Sequence, residues 1–108
     1  MPGWTRDGLG DAEEALRHKL ARNYLRTLIE LGHRPRALVF YASGVKLVAK
    51  DSPCLDELSE LAASGVALIA CRTCLEYYDL MASVEVGEIG NMVQIVEAQA
   101  AATKVISV

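Results

Sequence analysis

Two short, unbroken apolar runs constrain this chain more than anything else in it. The first lies in Arg36-Ala37-Leu38-Val39-Phe40-Tyr41 and the second is Val66-Ala67-Leu68-Ile69-Ala70. Neither alternates apolar with polar residues, so each has the length of a strand buried on both faces, as in a parallel sheet. A parallel pair needs a crossover, and each run follows a segment of helical periodicity. Ahead of the first, Leu16, Leu20, Tyr24, Leu28 and Leu31 recur at helical spacing and predict one apolar stripe. Asp11 is placed to cap that helix with Glu14 as its capping-box partner, Gly32 to stop it and Pro35 to prevent its continuation. Ahead of the second, Ser52-Pro53 has the form of a cap followed by a first-turn proline. Leu55, Leu58, Leu61 and Ala62 give the apolar face, and Gly65 closes the segment.

The remaining segments extend the alternation. Ser43-Gly44 makes a turn, and Val45 to Lys50 is open between a helical turn and irregular chain. A short helix is predicted over Cys74 to Met81. Asn91 caps another, which runs to about Ala102, and Lys104 to Val108 forms a closing strand. The pattern predicts one α/β domain over residues 1–108, with a mainly parallel sheet, right-handed crossovers and helices on both faces in three layers.

Composition excludes several functions. Eleven Lys and Arg against 14 Asp and Glu leave a net charge of −3, which argues against nucleic acid as the main partner. No apolar run approaches the roughly 18 residues that span a bilayer, so no membrane contact is expected. Met1 to Thr5 lacks the basic and apolar regions of a signal peptide, and three cysteines do not make a disulfide framework, so a cytoplasmic setting is expected. A hydrophobic content of 52% in so short a chain predicts either that both faces of a parallel sheet are covered or that apolar surface is also buried between subunits.

The chemistry concentrates in Cys71-Arg72-Thr73-Cys74. Ligands of open parallel sheets sit beyond the carboxyl ends of the strands, where Cys71 falls. Free amides of a following helix and the Arg72 cation both favour thiolate over thiol. Cys74, three residues on, can hydrogen-bond that thiolate or attack a sulfur bound to it. The competing reading is two packed thiols, since cysteine is among the most buried residue types. Zinc fits less well, because the other soft ligands, Cys54, His18 and His33, are isolated; neither a metal nor a cofactor is expected. A thioredoxin fold would need a cis-proline downstream of the dithiol, and Pro2, Pro35 and Pro53 all precede it.

Other residues carry weaker signals. Lys46, past the end of the first strand, is placed to hold an anion or a thiolate, or else is a solvated lysine. Asn91 reads as a helix cap before it reads as a ligand. Tyr77 and Tyr78 suit a surface or subunit contact, one of them lining the site at most, and Cys54 suits packing.

Taken jointly, Phe40 to Val45, Gly65 to Cys71 and the tail from Gly87-Glu88-Ile89-Gly90-Asn91-Met92 to Val108 resemble the DsrE-like family of sulfur-relay proteins. Gly44-Val45-Lys46-Leu47, Cys71-Arg72-Thr73-Cys74-Leu75 and Asn91-Met92 are most similar to its YedF-like group, the C-terminal domain of a selenium-metabolism protein. The resemblance implies a sulfurtransferase-like carrier that accepts a persulfide on Cys71, with Cys74 as a second thiol. It implies sulfur or selenium donor and acceptor proteins as partners, and a homotrimer or hexamer. Alternatives are a non-catalytic binding or assembly module and a dithiol redox protein. Arg72 stands where the YedF-like group has glycine. The small carrier domain that precedes this one in that group has no counterpart in the sequence, so a donor is expected from another chain. The family's first strand is expected to be missing or truncated, because Met1 to Thr5 is short and rich in Pro and Gly.

Overall fold

A computed structural model describes residues 2–5, 8, 13–33, 35–101 and 106–107. Five strands, β1 (Pro2–Trp4), β2 (Ala37–Phe40), β3 (Ala67–Cys71), β4 (Glu88–Gly90) and β5 (Ile106–Ser107), form one sheet in the order β4-β3-β2-β1-β5. Every pairing is parallel. Four α-helices connect them: α1 (Glu14–Leu31), α2 (Leu55–Ala63), α3 (Arg72–Tyr77) and α4 (Met92–Ala101). From β1 to β4 the chain steps in one direction across the sheet, and α1 packs against α2. The return to β5 reverses direction, so a right-handed crossover carries α4 over the opposite face.

The two apolar runs behave as their composition dictates. Ala37 to Phe40 are all buried, as are Leu68 to Cys71, and the two strands pair in register from Ala37 with Ala67 to Phe40 with Ala70. The first strand is present, three residues long, between β2 and β5. Pro2 opens β1, where its lack of an N–H is tolerated, and Trp4 supplies the burial that a three-residue strand otherwise lacks. The indole is fully buried, edge-on to Tyr24 at 5.8 Å and stacked on Phe40 at 6.4 Å. Beyond it the Tyr41 amide donates to the Trp4 carbonyl at 2.9 Å.

Three helical expectations need correction. Asp11 lies outside the described residues, and α1 has Glu13 at its N-cap position, so Glu14 is the first helical residue and no capping-box partner. The buried face of α1 is Ala21 and Leu25, flanked by Tyr24, Leu28 and Ile29, while Leu16, Leu20 and Leu31 are exposed. Alanine wins the central position because a small side chain lets the helix approach its neighbours closely. Ser52 does not cap α2 directly, since Cys54 holds the N-cap position. The Ser52 hydroxyl accepts the Cys54 amide at 3.1 Å in a turn just ahead of the helix. The stop at Gly32 is as expected, with φ of 72° and the His33 amide reaching the Leu28 carbonyl.

The open segment after β2 is a 3-10 helix, Ala42–Val48. Gly44 is required there, because a Cβ would overlap the Trp4 carbonyl. A buried carboxylate that the sequence did not flag joins the helices. Glu57 of α2 pairs with Arg26 of α1 at 3.1 Å and with Arg22 at 4.0 Å, and Arg26 also reaches Glu60. Among the described residues, no helix is long and apolar enough to cross a membrane.

Candidate functional site

The site begins where β3 runs out. Cys71 is the last residue of β3, opposite Gly90 of β4, and also occupies the N-cap position of α3. Its backbone is extended, with φ of −66° and ψ of 121°, and its side chain makes no capping bond. The sulfur is therefore left over for chemistry. Only 2% of the residue is exposed, yet it lines a cavity of about 410 Å³ at the carboxyl edge of the sheet. Tyr41 and Ala42, after β2, form one wall, and Met92, Ile95 and Gln99 of α4 form another. Among the described residues, no lysine, arginine, histidine or carboxylate lines it.

Cys74 lines the same cavity from the first turn of α3 and is half-buried. Its sulfur accepts the Ala42 amide at 3.1 Å. Ala42 adopts a left-handed conformation, with φ of 53°, uncommon for a residue with a Cβ. Burial pushes the Cys74 thiol up; the Ala42 amide opposes this, and hydrogen bonding with Cys71 and the charge of that group push it up further. The dithiol of the sequence is thus a pair of free thiols on one cavity wall. Ala42 was not foreseen, and nothing in the sequence marks it, because it acts through its backbone.

The other candidates are scattered more widely. Arg72 is exposed and is not part of the cavity wall. Asn91 is a helix cap: its side-chain oxygen accepts the Gln94 amide at 2.9 Å, and the Gln94 side chain accepts the Asn91 amide at 3.0 Å. Lys46 lies in the 3-10 helix with its ammonium 4.7 Å from the centre of the Tyr78 ring. It lines a different cavity, of about 400 Å³, with His18, Lys50 and Asp51. The structure thus brings Cys71 and Cys74 together and leaves Lys46 in separate surroundings. His33 is exposed beyond the end of α1. Tyr77 is 83% exposed and edge-on to Tyr78 at 5.1 Å. Cys54 is fully buried, and burial, with the charge of Glu57, pushes its thiol up to about 12. Among the described residues no three His, Cys, Asp or Glu side chains gather to hold a metal ion.

A model of the DsrE/DsrF-like family matches residues 10–108. Two similar solved structures share the architecture. One is the protein of unknown function MTH1491 from Methanobacterium thermoautotrophicum, 22% identical, with a TM-score of 0.70 over 99% of this chain and 97% of that one. The other is the ychN protein from E. coli, 19% identical, with a TM-score of 0.65 over the same shares. At these identities the likeness is one of fold. No curated protein matches the chain.

Proposed function

Since the chain belongs to the DsrE/DsrF-like family, we propose that it is a sulfur-relay protein in which Cys71 accepts sulfane sulfur as a persulfide. The observation that carries this reading is the position of Cys71: at a strand's carboxyl end and on the wall of a cavity that a second free thiol, Cys74, also lines. The reaction is a displacement on sulfur. The Cys71 thiolate attacks the outer sulfur of R–S–SH, a new S–S bond forms, and R–S⁻ leaves with the electron pair of the broken one. No oxidant is consumed. The cavity wall is apolar apart from the thiols, the Tyr41 phenol and the Gln99 amide, and this suits an uncharged sulfane group better than an oxyanion.

The same displacement serves selenium, and the C-x-x-C pair is the feature shared with the YedF-like group. Donor and acceptor are then other proteins bearing the cargo. A homo-oligomer belongs to the same reading, because Met92, Val93 and Val96 are exposed on α4 beside the cavity. Light scattering at micromolar concentration that gives a monomer would remove that part alone.

The reaction is tested by mass. Reduced protein is incubated with a persulfide donor and digested with trypsin, which cleaves after Arg72 and so separates Cys71 from Cys74. One added sulfur on the Cys71 peptide is expected, absent in Cys71→Ser. No gain on wild type, or a gain that survives the substitution, overturns the reading. A selenium-loaded donor distinguishes the two cargoes by the mass added.

A further inference from the structure

We propose that Cys74 is a second catalytic residue, the general acid that protonates the departing donor sulfur as Cys71 is loaded. The inference rests on Cys71 being the acceptor. Three observations carry it beyond that. The two sulfurs line one cavity, and Cys74 is the more exposed of the pair, so a donor arriving from solvent leaves past Cys74. Among the described residues, the lining includes no histidine, lysine or carboxyl that could supply the proton instead. The Ala42 amide already points at the Cys74 sulfur from 3.1 Å, ready to hold the negative charge that remains once the proton is given.

The proton and charge bookkeeping closes. Cys71–S⁻ and R–S–SH give Cys71–S–SH and R–S⁻; Cys74–SH and R–S⁻ then give Cys74–S⁻ and R–SH. While Cys71 is anionic its charge holds the proton on Cys74. As the Cys71 electron pair becomes an S–S bond that hold disappears, so Cys74 grows more acidic at the moment the proton is needed. The left-handed turn at Ala42 has a use in this scheme, since it directs a backbone donor into an otherwise apolar wall. Bulk water returns the proton to Cys74 after R–SH has left.

The test compares leaving groups. Attack of Cys71 on a neutral disulfide is the same displacement, and it can be followed whether or not the protein carries sulfur in the cell. Bis(2-hydroxyethyl) disulfide releases a basic aliphatic thiolate that needs a proton, whereas 4,4′-dithiodipyridine releases a thiolate that does not. Acid-quenched tryptic mapping follows modification of Cys71 by each. Cys74→Ser is expected to slow the aliphatic probe by roughly 100-fold, the lower end of general-acid effects, and the pyridyl probe by less than about twofold. Cys74→Ala, expected to match Cys74→Ser, guards against an effect peculiar to the hydroxyl. Equal slowing with both probes would show that Cys74 only shapes Cys71, and no slowing would show that it is idle; either overturns the proposal. Failure of both probes to modify Cys71 in wild type would sink the acceptor assignment itself.

Discussion

Cys54 and Cys71 occupy the same local position and face opposite chemical prospects. Each holds the N-cap position of a helix, each leaves its cap unmade, and each is buried. Cys54 precedes the longer helix, nine residues against six, and should gain more from aligned peptide dipoles. It gains nothing. Its thiol is pushed up to about 12, first by burial and then by the charge of Glu57, with only Arg22 opposing. Cys71 differs in what surrounds it: a cavity instead of packed side chains, a partner thiol, and no carboxylate on the wall. A helix start does not by itself make a nucleophile; access and neighbouring charge decide.

The largest effect expected from this contrast is in alkylation. With a thiol at about 12, only about 10⁻⁵ of Cys54 is thiolate at pH 7, so iodoacetamide should modify Cys71 far faster than Cys54 in the folded protein. Comparable rates, read by fragmentation of the tryptic peptide 51–72 that carries both cysteines, would break the comparison. Next in size is Gly44→Ala. Its Cβ would drive the 3-10 helix off the Trp4 carbonyl, costing about 3 kcal/mol in a denaturant titration and displacing Ala42 from Cys74. Cys54 lies outside that edge, so its resistance to alkylation below the unfolding transition should survive.

A third test uses pH. The unfolded Cys54 thiol loses its proton near 9.0, whereas the folded one keeps it to about 12, so rising pH favours the unfolded chain. The stability this contributes is intact below about pH 8 and is lost between about 9 and 12, at up to about 1.4 kcal/mol per pH unit. Cys54→Ala should flatten that limb relative to wild type and leave sulfur loading at Cys71 untouched; an unchanged limb would show that Cys54 is not so protected. The smallest effect is at Ala42→Gly. Glycine relieves the left-handed conformation but frees the unfolded chain, and the two nearly cancel, leaving a change under about 1 kcal/mol by chemical denaturation. A larger loss would mean that the Ala42 methyl packs in a way the backbone does not reveal.

What the sequence disclosed follows from which interactions are local. The apolar runs of β2 and β3 and the stop at Gly32 are written in contiguous residues, and the dithiol at the end of β3 inherits its place from them. β1 was hard to see because three residues with a proline and a glycine have no strand character alone; neighbours on both sides and the burial of Trp4 make it a strand. The buried face of α1 is not legible, because leucine spacing does not say which side meets the core, and Ala21 carries no hydropathic signal strong enough to announce itself. Within the site, side chains could be named in advance. The Ala42 amide could not, since a backbone donor in an unusual conformation looks like any other alanine.

The pairing of β1 with β5 has a consequence for how the protein is made. Pro2 and Ile106 are partners although about a hundred residues separate them, among the most distant contacts a chain of this size can form. A ribosome delivers Trp4 long before Ile106, so the nascent segment must wait with one sheet edge unclaimed. Closure of that seam comes late in folding, and premature partners for the waiting edge are the hazard that chaperones would need to exclude.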